Sequence, residues 1–131
     1  PFEVGRVQPG DAFTPDPCRD RKQVWLWMMA VAGQIAIGQQ CLLAYASDLN
    51  LLASGLGPHA VTWFQPGVMV ASLDHTIWFH RPTQFETWHL YAMDSPFAGG
   101  ARAFNRSSIY AADGNLVASV AQEGLVRQPC R

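Results

Sequence analysis

No sign of charge dominates this sequence: nine Lys and Arg residues stand against ten Asp and Glu, for a formal net charge of -1. The basic residues are scattered, so the electrostatic footprint of a protein that grips a nucleic-acid backbone is missing, and no nucleic-acid partner is expected. Cysteine is scarce as well. Cys18, Cys41 and Cys130 form an odd set without a CxxC pair, which argues against a disulfide framework or a clustered zinc site and points to a reducing compartment, with the cytoplasm as the expected location. The apolar stretches are interrupted by Gly, Gln, Ser or Asp well short of the roughly 20 residues that span a bilayer, so no membrane partner is expected either. The opening has neither a basic-then-apolar leader nor an initiator Met, and the final Gln-Pro-Cys-Arg is not a peroxisomal Ser-Lys-Leu signal. Residues 1–22 are rich in Pro, Asp and Arg like a linker, which points to sequence upstream of them.

The familiar catalytic signatures are missing too. There is no GxSxG elbow, and the four histidines show neither HExxH nor another ligand spacing, so no metal and no cofactor is expected. Gly99-Gly100 lacks the GK[ST] that completes a phosphate loop and reads as a turn or bulge. Cys41 has no basic partner in sequence and reads as a small buried hydrophobe. Strand alternation sends His75 to the face opposite Ser72, so His75 and His80 read as hydrogen-bonding residues of a sheet rather than as members of a triad.

What is present is apolar residue in quantity and in two distinct periods. At 49% hydrophobic, 131 residues can bury a sizeable core in one domain, here residues 23–131. From Gln23 to Ile37, Trp25 and Trp27 alternate until Gly33 interrupts, which suits a strand followed by a turn. From Cys41 to Leu56 the period changes: Leu42, Tyr45, Ala46, Leu49, Leu52, Ala53 and Leu56 recur at three and four, as on one wide helical stripe, and Gly57-Pro58 ends it. Strand chemistry then returns over Val68–Phe79, Thr87–Met93, Ala101–Ala111 and Leu116–Val126, the last two joined by an Asp113-Gly114-Asn115 turn. A helix with so wide an apolar stripe must lie against the sheet, and the sheet should curl around it. The expected fold is α+β, an antiparallel sheet around one long helix, which is the hotdog arrangement, although strand and helix order alone also fit other α+β sandwiches.

Three polar residues face the wrong way for such a fold. Asp48 falls within or at the border of the helical stripe, where a desolvated carboxylate needs a local hydrogen-bond partner. Gln122 shares its strand face with Leu116, Ala118, Val120, Gly124 and Val126, while Ser119, Glu123 and Arg127 take the other. Ser72 lies on the same face as Val68 and Val70. Each alone has a structural explanation, a stripe-edge Asp, a backbone-satisfied amide and a small buried hydroxyl. A helix packed on the sheet brings them together, and carboxylate, hydroxyl and amide then supply enough donors and acceptors to orient and polarise one water.

Three segments carry a resemblance to a known family: Tyr45-Ala46-Ser47-Asp48-Leu49-Asn50-Leu51-Leu52, Ser72-Leu73-Asp74-His75-Thr76-Ile77-Trp78-Phe79-His80-Arg81-Pro82, and Val117-Ala118-Ser119-Val120-Ala121-Gln122-Glu123-Gly124. They resemble the acyl-CoA thioesterase II family, and the likeness runs from about Phe2 to Arg127. The resemblance implies the second half of a double-hotdog enzyme in which an Asp, a Thr or Ser, and a Gln orient the hydrolytic water. Those positions fall on Asp48, Ser72 and Gln122, with Ser72 standing where some members have Thr. It also implies an acyl-CoA substrate and a second hotdog domain as partner, whether a fused N-terminal half, a separate chain or a homodimer mate. Arg81, Arg102 and Arg106 are candidates for the CoA phosphates, because guanidinium groups pair with phosphate oxygens. Two rivals follow from the same fold. A hotdog hydratase or dehydratase needs an acid paired with a His, and no Gly-Asp-x-Asn-Pro-x-His-like segment is present. A non-catalytic acyl-CoA-binding half-domain needs its missing partner.

Overall fold

Alternating side chains become strands throughout the computed structural model, which describes residues 2–7, 21–28 and 36–128. The strands are β1 (Phe2–Arg6), β2 (Arg21–Met28), β3 (Met69–Ser72), β4 (Thr76–Phe79), β5 (His89–Gly99), β6 (Arg102–Ala111) and β7 (Leu116–Arg127). They pair antiparallel in the order β1-β2-β5-β6-β7, and β3 and β4 follow one another along the far side of β7. One helix, α1 (Ala36–Asp48), packs on the inner face of this curled sheet. The hotdog expectation holds. No helix among the described residues is long and apolar enough to cross a membrane.

The period of two sorts the sheet into an inner and an outer surface. Val24 and Leu26 on β2, Tyr91 and Met93 on β5, Ile109 on β6, and Ala118 and Val120 on β7 are buried and meet Leu43 and Ala46 of α1. The last hairpin turns at Gly114, whose φ of +85° suits glycine, and Asp113 accepts the Asn115 backbone N–H at 2.9 Å. That bond is the main cause holding the Asp113 carboxyl below its ordinary pKa.

Four expectations need correction. Of the linker-like stretch, Phe2–Arg6 is an edge strand paired with β2; residues 8–20 lie outside the described residues. The first apolar segment supplies β2 only as far as Met28, and Ile37 already belongs to α1, with residues 29–35 outside the described residues. The helix does not run from Cys41 to Leu56. Asn50 adopts φ +66°, a left-handed conformation that Asn tolerates and that stops a helix, and two short 3₁₀ turns follow at Leu52–Gly55 and Gly57–His59. Both parts press Leu residues on the same sheet, so the three-and-four spacing continues through a break. The buried face of α1 is Gln39, Leu43, Ala46 and Ser47, while Tyr45 is 65% exposed and Cys41 is exposed rather than buried.

Two close approaches set the stability of this arrangement. A Cβ on Gly55 would lie 2.7 Å from the Ala103 Cβ and 2.6 Å from Asn105 Oδ1, so the first 3₁₀ turn rests directly on β6. Gly55→Ala is therefore expected to lower stability by about 1–3 kcal/mol, the usual range for overpacking, read as a lower urea midpoint. His89 is fully buried; its Nδ1 donates to the Thr87 carbonyl at 2.8 Å, leaving Nε2 to accept the Thr83 hydroxyl at 2.6 Å, and Phe85 stacks on its ring. Burial lowers its pKa below 6.5, with the Thr87 bond only partly opposing. Folding thus favours the neutral ring. Its contribution to stability is complete above pH 6.5 and is lost as pH falls from there toward the depressed folded value. The melting temperature should decline below about pH 6.5, and His89→Gln should lack that part of the decline.

Candidate active site

The three inward-facing polar residues meet. Asp48 closes α1, Ser72 closes β3, and Gln122 lies within β7. The β3–β7 register sets Ser72 opposite Gly124, which shares the inner face with Gln122 two residues away. Gln122 is fully buried, and its Nε2 donates to Asp48 Oδ1 at 2.7 Å and to Ser72 Oγ at 2.9 Å. Those two bonds use both amide hydrogens. The reverse amide orientation would set a carbonyl oxygen against a carboxylate, so the network itself assigns Nε2 to this side. Ser72 accepts from Gln122 and keeps its own proton for donation. The burial expected of Asp48 falls on Gln122 instead: the helix ends at Asp48, whose side chain is 60% exposed, and Ser72 is exposed beside it. A buried amide thus supports two accessible groups, one an acceptor and one a donor, which is what a water needs for a fixed orientation.

His75 belongs beside this cluster, contrary to its assignment to the opposite face. Ser72 pairs with Gly124 and Thr76 with Ala121, so four steps along the first strand match three along β7. The extra residue is a bulge, with Asp74 Oδ1 accepting the Glu123 N–H at 2.7 Å, and it inverts the alternation from there on. Nε2 of His75 lies 2.8 Å from Ser47 Oγ, and Nδ1 lies 3.7 Å from Asp48 Oδ1. Tyr91 of β5 reaches the same place, its hydroxyl donating to the Ser47 carbonyl oxygen. Burial pushes the Tyr91 phenol far above its ordinary pKa, so it acts as a donor throughout the working range. Ser47 and His75 lie within the segments that carry the family resemblance, whereas no sequence signal marks Tyr91.

The arginines are placed differently. Arg106 makes a two-pronged pair with Asp94, with bonds of 2.9 Å from both Nε and Nη2, and Arg102 Nη1 meets Glu123 at 2.8 Å. Their partners in register, Ala121 and Leu125, lie on the face opposite Gln122. Arg81 Nη1 donates to the Leu116 carbonyl at 3.0 Å. The three do not converge. Grooves at the β5–β6 turn, on the outer sheet face and at the start of α1 are lined by residues other than Asp48, Ser72 and Gln122.

Fold and cluster together define a class, a hotdog domain with a carboxylate, a hydroxyl and an amide arranged around one open position. Comparison with known proteins narrows it. The family described as acyl-CoA thioesterase matches residues 7–125, and the chain belongs to that family. Acyl-CoA thioesterase 2 of Haemophilus influenzae is 47% identical over 89 residues, 68% of this chain and 31% of that protein. Human acyl-coenzyme A thioesterase 8 is 32% identical over 128 residues, 97% of this chain and 40% of that protein. Among solved structures, the acyl-CoA thioesterase II TesB2 of Mycobacterium marinum superposes with a TM-score of 0.82 at 40% identity, covering 98% of this chain and 49% of that one. The chain thus spans less than half the length of these relatives. The Escherichia coli PaaI protein, at 12% identity and a TM-score of 0.66, shares the fold.

Proposed function

We propose that this domain hydrolyses acyl-CoA to the free acid and CoA, with Asp48 as general base and Ser72 and Gln122 holding the attacking water. The observation that carries this reading is the double donation of the Gln122 amide, to Asp48 and to Ser72, at the end of the helix. Water bound between the Asp48 carboxylate and Ser72 loses a proton to Asp48 as its oxygen bonds the thioester carbonyl carbon. The C–S bond then breaks and the thiolate departs, so no acyl-enzyme is required. General-base assistance of this kind contributes about 10²- to 10⁴-fold.

The substrate and the partner are part of the same proposal. Exposed apolar side chains flank the cluster: Tyr45 one turn before Asp48 on α1, at 65% exposure, and Leu73 next to Ser72 at 50%. A second hotdog domain covering them would exclude water from the thioester and supply walls for the acyl chain. The relatives' greater length supports such a partner. Contact of Arg81, Arg102 or Arg106 with CoA phosphates would require displacing the bonds these residues make within the domain; Arg81, hydrogen-bonded to a carbonyl and acting on Asp113 through charge alone, is less firmly held than Arg102 or Arg106, each bonded directly to a carboxylate.

The expected result for Asp48→Asn, in the full-length protein, is a loss of about 10²- to 10⁴-fold in kcat, followed as CoA thiol release with a disulfide dye. Ser72→Thr keeps the hydroxyl and should retain activity, whereas Ser72→Ala should lose about tenfold or more. Wild-type turnover by a well-folded Asp48→Asn protein would remove Asp48 from the mechanism. Binding of acyl-CoA without turnover, even with the second domain present, would support the non-catalytic reading instead.

A further inference from the structure

Within the cluster, a buried nitrogen faces the Asp48 carboxylate without a hydrogen-bond partner. Ser47 Oγ lies 2.7 Å from the Ala44 carbonyl oxygen and 2.8 Å from His75 Nε2. A carbonyl oxygen only accepts, so the single hydroxyl proton of Ser47 is directed to Ala44, and both contacts are hydrogen bonds only if Nε2 carries a hydrogen and donates to Ser47. The neutral imidazole then presents a bare lone pair at Nδ1. That atom is buried and has no hydrogen-bond partner, and it lies 3.7 Å from Asp48 Oδ1. The gap exceeds a hydrogen bond, yet a small rotation of the carboxylate would close it once a proton lies between the two atoms. Tyr91, holding the Ser47 carbonyl oxygen from β5, fixes the same turn of α1 from the other side.

We propose that His75 is the proton-sharing partner of Asp48: the Oδ1···Nδ1 pair is one proton short, and the attacking water supplies it. This rests on the reading of Asp48 as the base. The water O–H bond breaks as its oxygen bonds the thioester carbonyl carbon, and the proton passes to Asp48 and is shared with His75 Nδ1. When the carbonyl re-forms and the C–S bond breaks, the departing thiolate takes that proton. The products are the carboxylic acid and the thiol, and the pair returns to its starting state. Ser47 keeps the imidazole in the one neutral tautomer that leaves the gap open.

Two substitutions close the gap while leaving Asp48 in place. Ser47→Ala frees the imidazole to turn its hydrogen to Nδ1, and His75→Gln replaces the lone pair with an amide that can donate to Asp48. In the full-length protein each should lower kcat for acyl-CoA by about tenfold or more with KM unchanged, with thermal melts confirming a folded protein. On an Asp48→Asn background neither should cause a further loss, because the group that His75 serves is gone. Wild-type kcat in both folded variants, a change confined to KM, or losses that multiply with that of Asp48→Asn would each overturn the proposal. If His75→Gln does not fold, Ser47→Ala decides alone. Full turnover by Asp48→Asn itself would instead overturn the assignment of the base, an outcome read from the parent arm of the same cycle.

Discussion

A carboxamide can sit fully buried on the greasy face of a sheet only when its hydrogens find acceptors, because leaving a buried donor unsatisfied costs on the order of 1–3 kcal/mol. Gln122 meets that condition by reaching two elements that are distant in sequence, the last residue of α1 and the last residue of β3. The same two bonds that satisfy the hydrogens of the buried amide fix where Asp48 and Ser72 stand. Burial and positioning here depend on one contact set: a helix displaced from the sheet would both orphan the amide and separate Asp48 from Ser72.

Around that contact the fold departs from regularity in two places, and each departure serves the cluster. The left-handed turn at Asn50 ends the helix so that Asp48 is terminal and its carboxylate can bend toward β7 while remaining largely accessible. The bulge between β3 and β4 inverts the strand alternation, so that Ser72 before it and His75 after it both reach the inner side. An uninterrupted strand would have sent one of them outward.

These departures also explain what was legible in the amino-acid sequence. The strands β6 and β7, the hairpin at Asp113–Asn115 and the inward position of Gln122 are set by local alternation and turn chemistry and are visible without coordinates, whereas β5 runs on to Gly99, past the Met93 at which its apolar alternation ends. Ser72 and Asp48 emerge for the same reason. The end of the helix was not visible, because the Leu residues of the following 3₁₀ turns keep nearly the same spacing as a helix pressed on the same sheet. His75 was missed because a bulge of one residue reverses parity without any Gly or Pro to announce it. Tyr91 and Ser47 act through a backbone carbonyl oxygen and a tautomer, and neither leaves a periodic trace. The arginines, selected by charge alone, are instead engaged by Asp94, Glu123 and the Leu116 carbonyl.

The half-open character of the cluster fits a domain that belongs to something larger. Gln122 is sealed within this chain, whereas Asp48, Ser72 and their apolar neighbours Tyr45 and Leu73 remain accessible. In the proposed mechanism one water is held jointly by Asp48 and Ser72 above the Gln122 amide. A high-resolution crystal structure of the full-length protein with a thioether analogue of acyl-CoA is the decisive measurement. An ordered water is expected about 3 Å from both the Asp48 carboxylate and Ser72 Oγ, facing the analogue at the position of the scissile carbonyl carbon. A Gln122 amide bonded elsewhere, or an acyl group lying away from these two side chains, would contradict it.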